Sequence, residues 1–404
     1  MLLVRVPLGV HPLSRRLSAR LLLRATKMDN RYPEFEETTF MTNQNATVLE
    51  ALSLAVAAHV PVLLWGPPGA GKSSAVEDMC RSIDLTFEVV IASIREPSDF
   101  SGLPVITENG VEFAPPRWAK TLSEAGNGVL FLDEISTAPP AVQAALLRVV
   151  LERVVGDLAL PDELAIVAAA NPPDQAADGW DLSAPLANRF CHLDWHVDVM
   201  TVATGLVAGF PTPVIPTLPE DWKNQIPIAA GLVGGFLSVR QSLVIQPPIE
   251  RALAGRAWPS PRTWEMLARL LAAAFAVECS LETKRNLVIG CVGDGAGLEF
   301  LNWVQELDLP DPEAALIDPD SVVFPERGDR LYAALSAVAG AVASDPTPDR
   351  WLAGWRVLEK AAGQSPDIGA IAAKVLAQIR PDGVSAPPEA SIFLPVLEAA
   401  GLLE

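Results

Sequence analysis

The feature that most constrains this chain is a glycine-rich turn that follows an apolar run and opens into a helix-like segment. Residues 60–74 are VPVLLWGPPGAGKSS, and they contain the pattern G-x-x-x-x-G-K-[ST]. Glycines at 66, 69 and 71 allow backbone N–H groups to face an anion with no side chain in the way. Such a turn needs a buried strand before it and a helix N-terminus after it. The sequence therefore predicts a phosphate-binding loop.

The residues of this loop have separate expected roles. Lys72 would place a positive charge on the outer phosphates, and Ser73 would offer its hydroxyl to Mg²⁺. The remaining expected nucleotide contacts are Gly66, Pro67, Pro68, Gly69, Ala70, Gly71 and Ser74.

Two adjacent carboxylates end a second apolar run, GVLFLDEI at 128–135. A continuous apolar run predicts a strand buried on both faces, and its carboxyl end should reach the ligand. Asp133 would hold Mg²⁺, while Glu134 would orient or deprotonate the attacking water. Many strands end in acidic turns, so the position of this pair downstream of the glycine loop gives the prediction its specificity.

Three polar residues keep two interpretations each. Asn171 follows a predicted strand and would hold the water or the γ-phosphate, or it caps a turn before two prolines. Arg189 would reach a neighbouring subunit's site, or it is a surface salt-bridge partner. Arg262 would sense phosphates from a lid, or it packs between Trp258 and Trp264.

Two other patterns are disfavoured as sites. His192 and His196 would lie on one face of a strand, too far apart to need a metal, so zinc is not expected there. The glycines at 290, 293, 295 and 297 match a dinucleotide fingerprint loosely, and their position predicts a turn between helices.

Composition narrows the partners and the compartment. A formal charge of −19 disfavours binding to nucleic-acid backbones. The apolar stretches 226–239 and 331–343 are too short to span a bilayer, so no membrane span is expected. Four scattered cysteines favour a reducing cytoplasm over a disulfide framework or a zinc site.

The predicted organisation has four parts. Residues 1–40 form a basic leader, rich in arginine and free of acidic residues up to Lys27, which is either a targeting segment or an over-long start before Met28 or Met41. Residues 41–200 alternate strands with helices, which predicts a parallel α/β domain. A helical lid at 201–310 and a C-terminal helical extension at 311–404 follow. Hairpins are predicted at 105–113, around Asn109-Gly110, and around Gly156-Asp157.

Together these motifs resemble the AAA+ ATPases, and within them the MoxR family. GPPGAGKS at 66–73 is similar to Walker A, VLFLDEI at 129–135 to Walker B, and AAANPPD at 168–174 to the sensor 1 segment. LANRF at 186–190 resembles the arginine-finger motif, and SPRTW at 260–264 the start of the sensor 2 helix. The two hairpins fall where this group of ATPases carries its insertions.

The resemblance implies a P-loop NTPase fold, with a parallel sheet flanked by helices, and a ring that is usually hexameric. ATP and Mg²⁺ would bind between subunits. Lys72, Ser73, Asp133, Glu134 and Asn171 would act in cis and Arg189 in trans, with Arg262 left open between the two. Members of this family act on partners with von Willebrand factor A, metal-binding or metallopeptidase-like domains, and the hairpins would face the ring pore.

Three functions are compatible with these features of the sequence. The first is an ATP-hydrolysing, chaperone-like remodeller or assembly factor for a partner protein. The second is an ATP-dependent assembly switch or scaffold with little turnover. The third, a nucleic-acid motor, is disfavoured by the acidic charge, although a few basic residues on the hairpins would be enough for it.

Overall fold

The computed structural model describes residues 44–108, 110–172, 180–210, 215–307, 309–363 and 365–399. Several predictions fall partly outside these ranges. They are the leader at 1–40, Asn109 of the first hairpin, Pro173 and Asp174 of the sensor 1 segment, residues 211–214 of a proline-rich joint, and residues 400–404 of the extension.

A parallel five-stranded sheet forms the centre of the first half, in the order β2-β5-β8-β1-β9. Its central strands are continuous apolar runs because helices cover both faces of the sheet. The predicted strands are confirmed with small shifts of their ends. The strands are β1 Val62–Trp65, β2 Phe87–Ile91, β5 Gly128–Asp133, β8 Leu164–Ala170 and β9 Cys191–Asp194.

Alternate side chains of these strands enter two different cores. Val62 and Leu64 join a core with helices on one face, whereas Leu63 and Trp65 join the core on the other. The helices of this half are α1 Gln44–Ala57, α2 Lys72–Ser82, α3 Ser98–Ser101, α4 Arg117–Ala125, α5 Pro140–Glu152, α6 Ala184–Ala187 and α7 Val199–Ala208.

Both predicted hairpins are present and lie outside the main sheet. The first hairpin pairs β3 Leu103–Thr107 with β4 Gly110–Ala114. The second hairpin pairs β6 Val154–Val155 with β7 Leu158–Ala159. The second hairpin joins α5 to β8, so it leads directly into the central part of the sheet.

The second half is helical, as predicted. Helices α8 to α10 share the core that covers one face of the sheet, and a separate cluster around Trp351 and Trp355 joins the later helices. The helices are α8 Ile226–Val239, α9 Pro261–Ala276, α10 Leu281–Gln305, α11 Pro312–Ile317, α12 Gly328–Ser344, α13 Pro348–Ala362, α14 Pro366–Gln378 and α15 Leu394–Ala399.

Helix α10 contains the predicted glycine turn. Gly293 has φ 79° and ψ 167°, which breaks the helix into two segments, so the glycine run does form a turn between helices. By length and composition alone α10 is apolar enough to cross a membrane, a possibility that the predicted apolar stretches did not include. Leu287, Val288 and Phe300 are instead buried within the helical half.

Four predictions of secondary structure were wrong or incomplete. Helices α3, α4, α6, α7 and α11 were not predicted. Strand β9 ends at Asp194 rather than Val197, so His196 lies beyond the strand. The sequence pattern over 388–402 predicts a helix, but its first part, Pro388–Phe393, is a 3₁₀ segment. The pattern over 221–244 predicts one helix, whereas α8 lies there between two short 3₁₀ segments.

Candidate functional site

The glycine loop joins β1 to α2, and its glycines meet two different requirements. Gly69 and Gly71 have φ of 75° and 82°, a region that other residues rarely adopt. Gly66 is needed for close approach, because a Cβ at this position would lie 2.7 Å from the backbone oxygen of Trp195. Gly71 is the N-cap of α2 and no side chain caps this end of the helix. The first N–H groups of α2 therefore face the loop as an anion site.

Lys72 lies inside the curve of this loop with only 7% of its surface exposed. Its ammonium donates hydrogen bonds to the backbone oxygens of Gly66, at 2.6 Å, and Pro67, at 3.0 Å. Burial lowers the pKa of Lys72, and the nearby Asp133 carboxylate opposes that shift. The charge is thus held where an oxyanion wrapped by the loop would meet it.

The other loop residues are arranged around this charge. Ser73 and Ser74 form the first turn of α2, with Ser73 half-buried and Ser74 exposed, as is Pro68. The backbone oxygen of Ala70 accepts a hydrogen bond of 3.0 Å from the indole N–H of Trp195. Trp195 follows β9, so the strand next to β1 fixes the outer wall of the loop.

Asp133 is the last residue of β5, and Glu134 follows it at the start of a 3₁₀ turn. Burial raises the pKa of Asp133, while the backbone N–H of Glu134 and the charge of Lys72 lower it. That N–H donates to Asp133 Oδ1 at 2.9 Å. Glu134 has φ 55° and ψ 37°, a left-handed conformation that costs about 1 kcal/mol or more for a residue with a side chain. Strain of this kind is concentrated at functional sites, and here it turns an exposed carboxylate away from the buried strand.

Ser93 is a site residue that sequence reasoning missed. Its hydroxyl donates a hydrogen bond to Glu134 Oε2. Ser93 lies in the 3₁₀ turn Ala92–Ile94 directly after β2, and Ile91 of β2 pairs in register with Asp133. Parallel pairing of β2 and β5 therefore brings the serine to the carboxylate, and no local motif in ASI indicates that contact.

Asn171 lies where β8 ends, next to the glycine loop. Its Oδ1 accepts a hydrogen bond of 3.4 Å from the ammonium of Lys72. Asn171 is therefore in contact with the lysine of the glycine loop. The structure thus gathers Lys72, Asp133, Glu134 and Asn171 at the carboxyl ends of three neighbouring strands.

Arg189 and Arg262 form a second group, away from these four residues. Burial lowers the pKa of Arg189, and the positive charge of Arg262 lowers it further. Arg189 donates to the backbone oxygen of Pro185. In the ranges that the structure describes, neither arginine forms an ion pair, and no cation–π contact links Arg262 to Trp258 or Trp264.

Hydrogen bonds fix the start of the sensor 2-like helix α9 to the arginine-finger segment. Ser260 Oγ donates to Asn188 Oδ1 at 2.7 Å, and Asn188 Nδ2 donates to the backbone oxygen of Trp258 at 3.1 Å. Ser260 and Thr263 also form a capping box at the start of α9. Because Asn188 precedes Arg189, the two arginines belong to one rigid unit.

His192 is a structural residue, not a metal ligand. Its Nδ1 accepts a hydrogen bond of 2.9 Å from the indole N–H of Trp65, and its Nε2 donates to the backbone oxygen of Ala187 at 2.9 Å. Both ring nitrogens are therefore used. Over the described ranges no cluster of three or more His, Cys, Asp or Glu residues is suited to a metal ion.

The four gathered residues fit ATP with Mg²⁺. An uncapped helix N-terminus, a buried ammonium and an open, glycine-lined curve suit a polyphosphate. Asp133 and Ser73 supply the oxygen atoms that Mg²⁺ prefers.

Parts of this chain are similar to known proteins. Residues 61–190 match the family model of the AAA domain, dynein-related subfamily. Curated relatives include the pathogenicity-locus regulatory protein WtsA of Pantoea stewartii, 28% identical over 154 residues, which are 35% of this chain and 48% of that protein. Midasin of Giardia intestinalis is 28% identical over 199 residues, 44% of this chain and 4% of midasin. Chaperone MoxR1 of Mycobacterium tuberculosis is 30% identical over 143 residues, 34% of this chain and 36% of MoxR1.

The chain thus spans less than half the length of these curated relatives. Among solved structures, an ATPase of Cytophaga hutchinsonii has a TM-score of 0.40 and 17% identity, covering 64% of this chain and 88% of that one. An MCM homologue of Methanopyrus kandleri has a TM-score of 0.31 and 17% identity, covering 70% and 63%. With the family match over the sheet domain, the predicted P-loop fold of the AAA+ type is confirmed.

Proposed function

We propose that this AAA+ protein of the MoxR type hydrolyses ATP and uses that turnover, in a ring of its own copies, to remodel or assemble a partner protein. The observation that carries the proposal is the gathering of Lys72, Asp133, Glu134 and Asn171 at one edge of the sheet, with Lys72 bonded to Asn171. These four residues and Ser73 are the set that the resemblance assigns to the site in cis, and their proximity supports the proposal.

Each residue has a role that its surroundings support. Lys72 and the N-terminus of α2 would bind the β- and γ-phosphates, and Asp133 with Ser73 would hold Mg²⁺. When bound, Mg²⁺ supplies positive charge that offsets charge on the phosphate oxygens. Glu134 is exposed and has a hydroxyl partner, so it would orient the attacking water and accept its proton. Asn171 would position that water or the γ-phosphate.

The position of Arg189 in the sheet supports a role for the arginine pair in a neighbouring copy's site. Arg189 precedes β9, and the backbone N–H of Cys191 bonds to Pro61 at the start of β1. Arg189 therefore lies near the amino ends of parallel strands, whereas Lys72 and Asp133 lie at the carboxyl ends. Because Arg262 is electrostatically close to Arg189, we assign both arginines to the neighbour's phosphates, in trans.

We propose a hexamer as the ring and the cytoplasm as the compartment. The partner would carry a von Willebrand factor A or metallopeptidase-like domain. The first hairpin would contact it through apolar side chains, since Ile106 is 87% exposed and Val111 60%. A nucleic-acid motor is disfavoured because residues 103–114 and 154–159 contain Glu108, Glu112 and Asp157 but no Lys or Arg. A scaffold with little turnover is disfavoured because Glu134 and its partner Ser93 are present.

Hydrolysis of MgATP by the purified chain tests the proposal. Glu134→Gln keeps the size of the side chain and an oxygen that accepts from Ser93, so we expect ATP binding to persist while turnover falls about 10²-fold or more. Glu124→Gln, an exposed change on α4, is the matched control and should change neither. Unchanged turnover in Glu134→Gln would show that Glu134 does not activate the attacking water. Absence of MgATP binding by the unaltered chain would refute the function.

Sharing of sites between subunits has its own test. Arg189→Ala should lower turnover about 10³-fold, as for other arginine fingers. Mixing it with Lys72→Ala subunits should restore activity, because some interfaces then pair an intact loop with an intact arginine. Failure of rescue at every mixing ratio would place Arg189 outside the neighbour's site. Proteins captured by the Glu134→Gln variant with ATP would identify the partner.

A further inference from the structure

The two hairpins contact each other through a pair of reciprocal hydrogen bonds. The backbone N–H of Phe113, in the first hairpin, donates to Asp157 Oδ2 at 2.6 Å. The backbone N–H of Asp157, at the turn of the second hairpin, donates to the Phe113 oxygen at 3.0 Å. We call this pair the Phe113–Asp157 clamp. It fixes one exposed carboxylate to the outer edge of β4.

The register of the first hairpin leaves that edge available. Phe113 lies opposite Pro104 in the ladder. Both polar backbone groups of Phe113 point away from β3 and are used by Asp157. The clamp therefore satisfies the edge of β4 without a further strand.

Close glycine contacts show that the hairpins are packed at their bases. A Cβ on Gly102 would lie 2.7 Å from the Cα of Gly156, and a Cβ on Gly156 would overlap the oxygen of Phe113. Both glycines have positive φ, 82° and 60°. Only residues without a side chain allow the two backbones to approach so closely.

The clamp joins two segments of the chain, each of which is connected to the proposed ATP site. Ser93, which bonds to Glu134, lies ten residues before Leu103 at the start of the first hairpin. The second hairpin leads into β8, whose far end carries Asn171, the partner of Lys72. At about 3.3 Å per residue, β8 is a stiff connection of roughly 20 Å.

The base of the second hairpin is in turn fixed to β8. The backbone N–H of Leu160 donates to the Arg153 oxygen at 2.7 Å, which closes the hairpin. The Arg153 guanidinium donates to the backbone oxygen of Leu164, the first residue of β8. A shift of β8 would therefore move the second hairpin with it.

We propose that the Phe113–Asp157 clamp couples the apolar first hairpin to the state of the nucleotide, with Asp157 as its positioning residue. The inference rests on the proposed function and deepens it. Movement at Asn171 on ATP binding and hydrolysis would pass through β8 and the second hairpin, and the clamp would transfer it to Ile106 and Val111. Without the clamp, ATP turnover continues but the tip no longer follows it.

A fluorescent probe on the hairpin tip tests this proposal without knowledge of the partner protein. All four native cysteines are buried, so Ile106→Cys gives one exposed thiol for an environment-sensitive maleimide dye. The labelled chain also carries Glu134→Gln to hold the ATP state. We expect its fluorescence to differ between MgATP and MgADP.

Two independent changes should then uncouple the probe. Asp157→Ala removes one of the two hydrogen bonds and should shift the clamped population about fivefold, while Asp157→Asn keeps an acceptor oxygen and the signal. Gly156→Ala inserts a Cβ into the contact and should abolish the signal. Gly383→Ala is its matched control, because Gly383 also has positive φ, 75°, but no atom within 4 Å of an added Cβ.

Binding of a fluorescent ATP analogue, measured on each variant, separates the possible failures. Loss of binding in the parent chain would refute the proposed function itself. Intact binding with no nucleotide-dependent signal in the parent would overturn the inference, as would an undiminished signal in Asp157→Ala. If Gly156→Ala does not fold, Asp157→Ala and Asp157→Asn decide the question, because Asp157 is exposed at a turn.

Discussion

Acid should destabilise this protein through one buried histidine beside β1, the strand that leads into the glycine loop. His192 is buried on β9, and its Nδ1 accepts a hydrogen bond from the indole N–H of Trp65, the last residue of β1. The second ring nitrogen donates to Ala187. A protonated ring has no acceptor for the indole, and burial further disfavours the charge. Together these effects leave His192 with a pKa of about 4, compared with its ordinary value of 6.5.

The sign and size of the effect follow from these two values. Between pH 6.5 and about 4 the unfolded chain binds a proton at this ring that the folded chain does not. The free energy of unfolding therefore falls as the pH is lowered through this range and is unaffected above it. The loss from His192 is about 2 kcal/mol near pH 5 and approaches about 3 kcal/mol below the folded pKa.

Urea unfolding followed by tryptophan fluorescence, from about pH 7.5 to pH 5, measures this loss. His192→Gln removes the titrating ring, so its midpoint should fall less with acid than that of the unaltered chain. His59 is present in both proteins and cancels in the difference. A difference between the unaltered chain and His192→Gln that stays constant with pH would refute the reasoning.

Three further outcomes are expected. Ser93→Ala removes the hydroxyl that donates to Glu134 and should lower kcat about tenfold, with ATP affinity unchanged. Ser93→Thr keeps a hydroxyl and should retain activity. Equal kcat values in the two variants would show that this hydrogen bond does not contribute to turnover. Gly66→Ala places a Cβ 2.7 Å from the backbone oxygen of Trp195 and should lower the free energy of unfolding by about 1–3 kcal/mol. The variant should also bind ATP more weakly. An unchanged Tm in thermal unfolding would contradict the close packing. Arg262→Ala should lose turnover and recover it when mixed with Lys72→Ala subunits, and recovery would be absent if Arg262 acts in cis.

The sheet and the core of the site were predictable because their signals are local. A glycine loop, an apolar run with two terminal carboxylates and a strand ending in Asn-Pro each specify their own geometry within about ten residues. Parallel pairing aligns the strand ends, and the order β5-β8-β1, which the structure provides, brings Asp133 and Asn171 beside Lys72. The turn residues likewise predicted both hairpins.

The missed features depend on contacts between distant segments or on weak helix signals. Ser93 reaches Glu134 only because β2 pairs with β5, a contact that spans 41 positions in the chain. Helix α7, VMTVATGLVA, is rich in β-branched residues that lower helix propensity, and only Gly205 in it is buried. Because this helix packs few residues into a core, its apolar residues do not show the spacing of a buried helix face.

The surroundings of Arg189 bear on the two interpretations that the sequence leaves open. A surface salt-bridge partner would sit beside a carboxylate, but the described residues provide none, and Arg189 Nε is buried without a hydrogen-bond partner. Arg262 adds a like charge, which opposes burial of the first. Both features destabilise the isolated chain. An anion from outside the chain would offset the two positive charges and so explain why both arginines are there. A neighbouring copy's bound phosphate is such an anion, and the ring would then be most stable when its sites are filled with ATP.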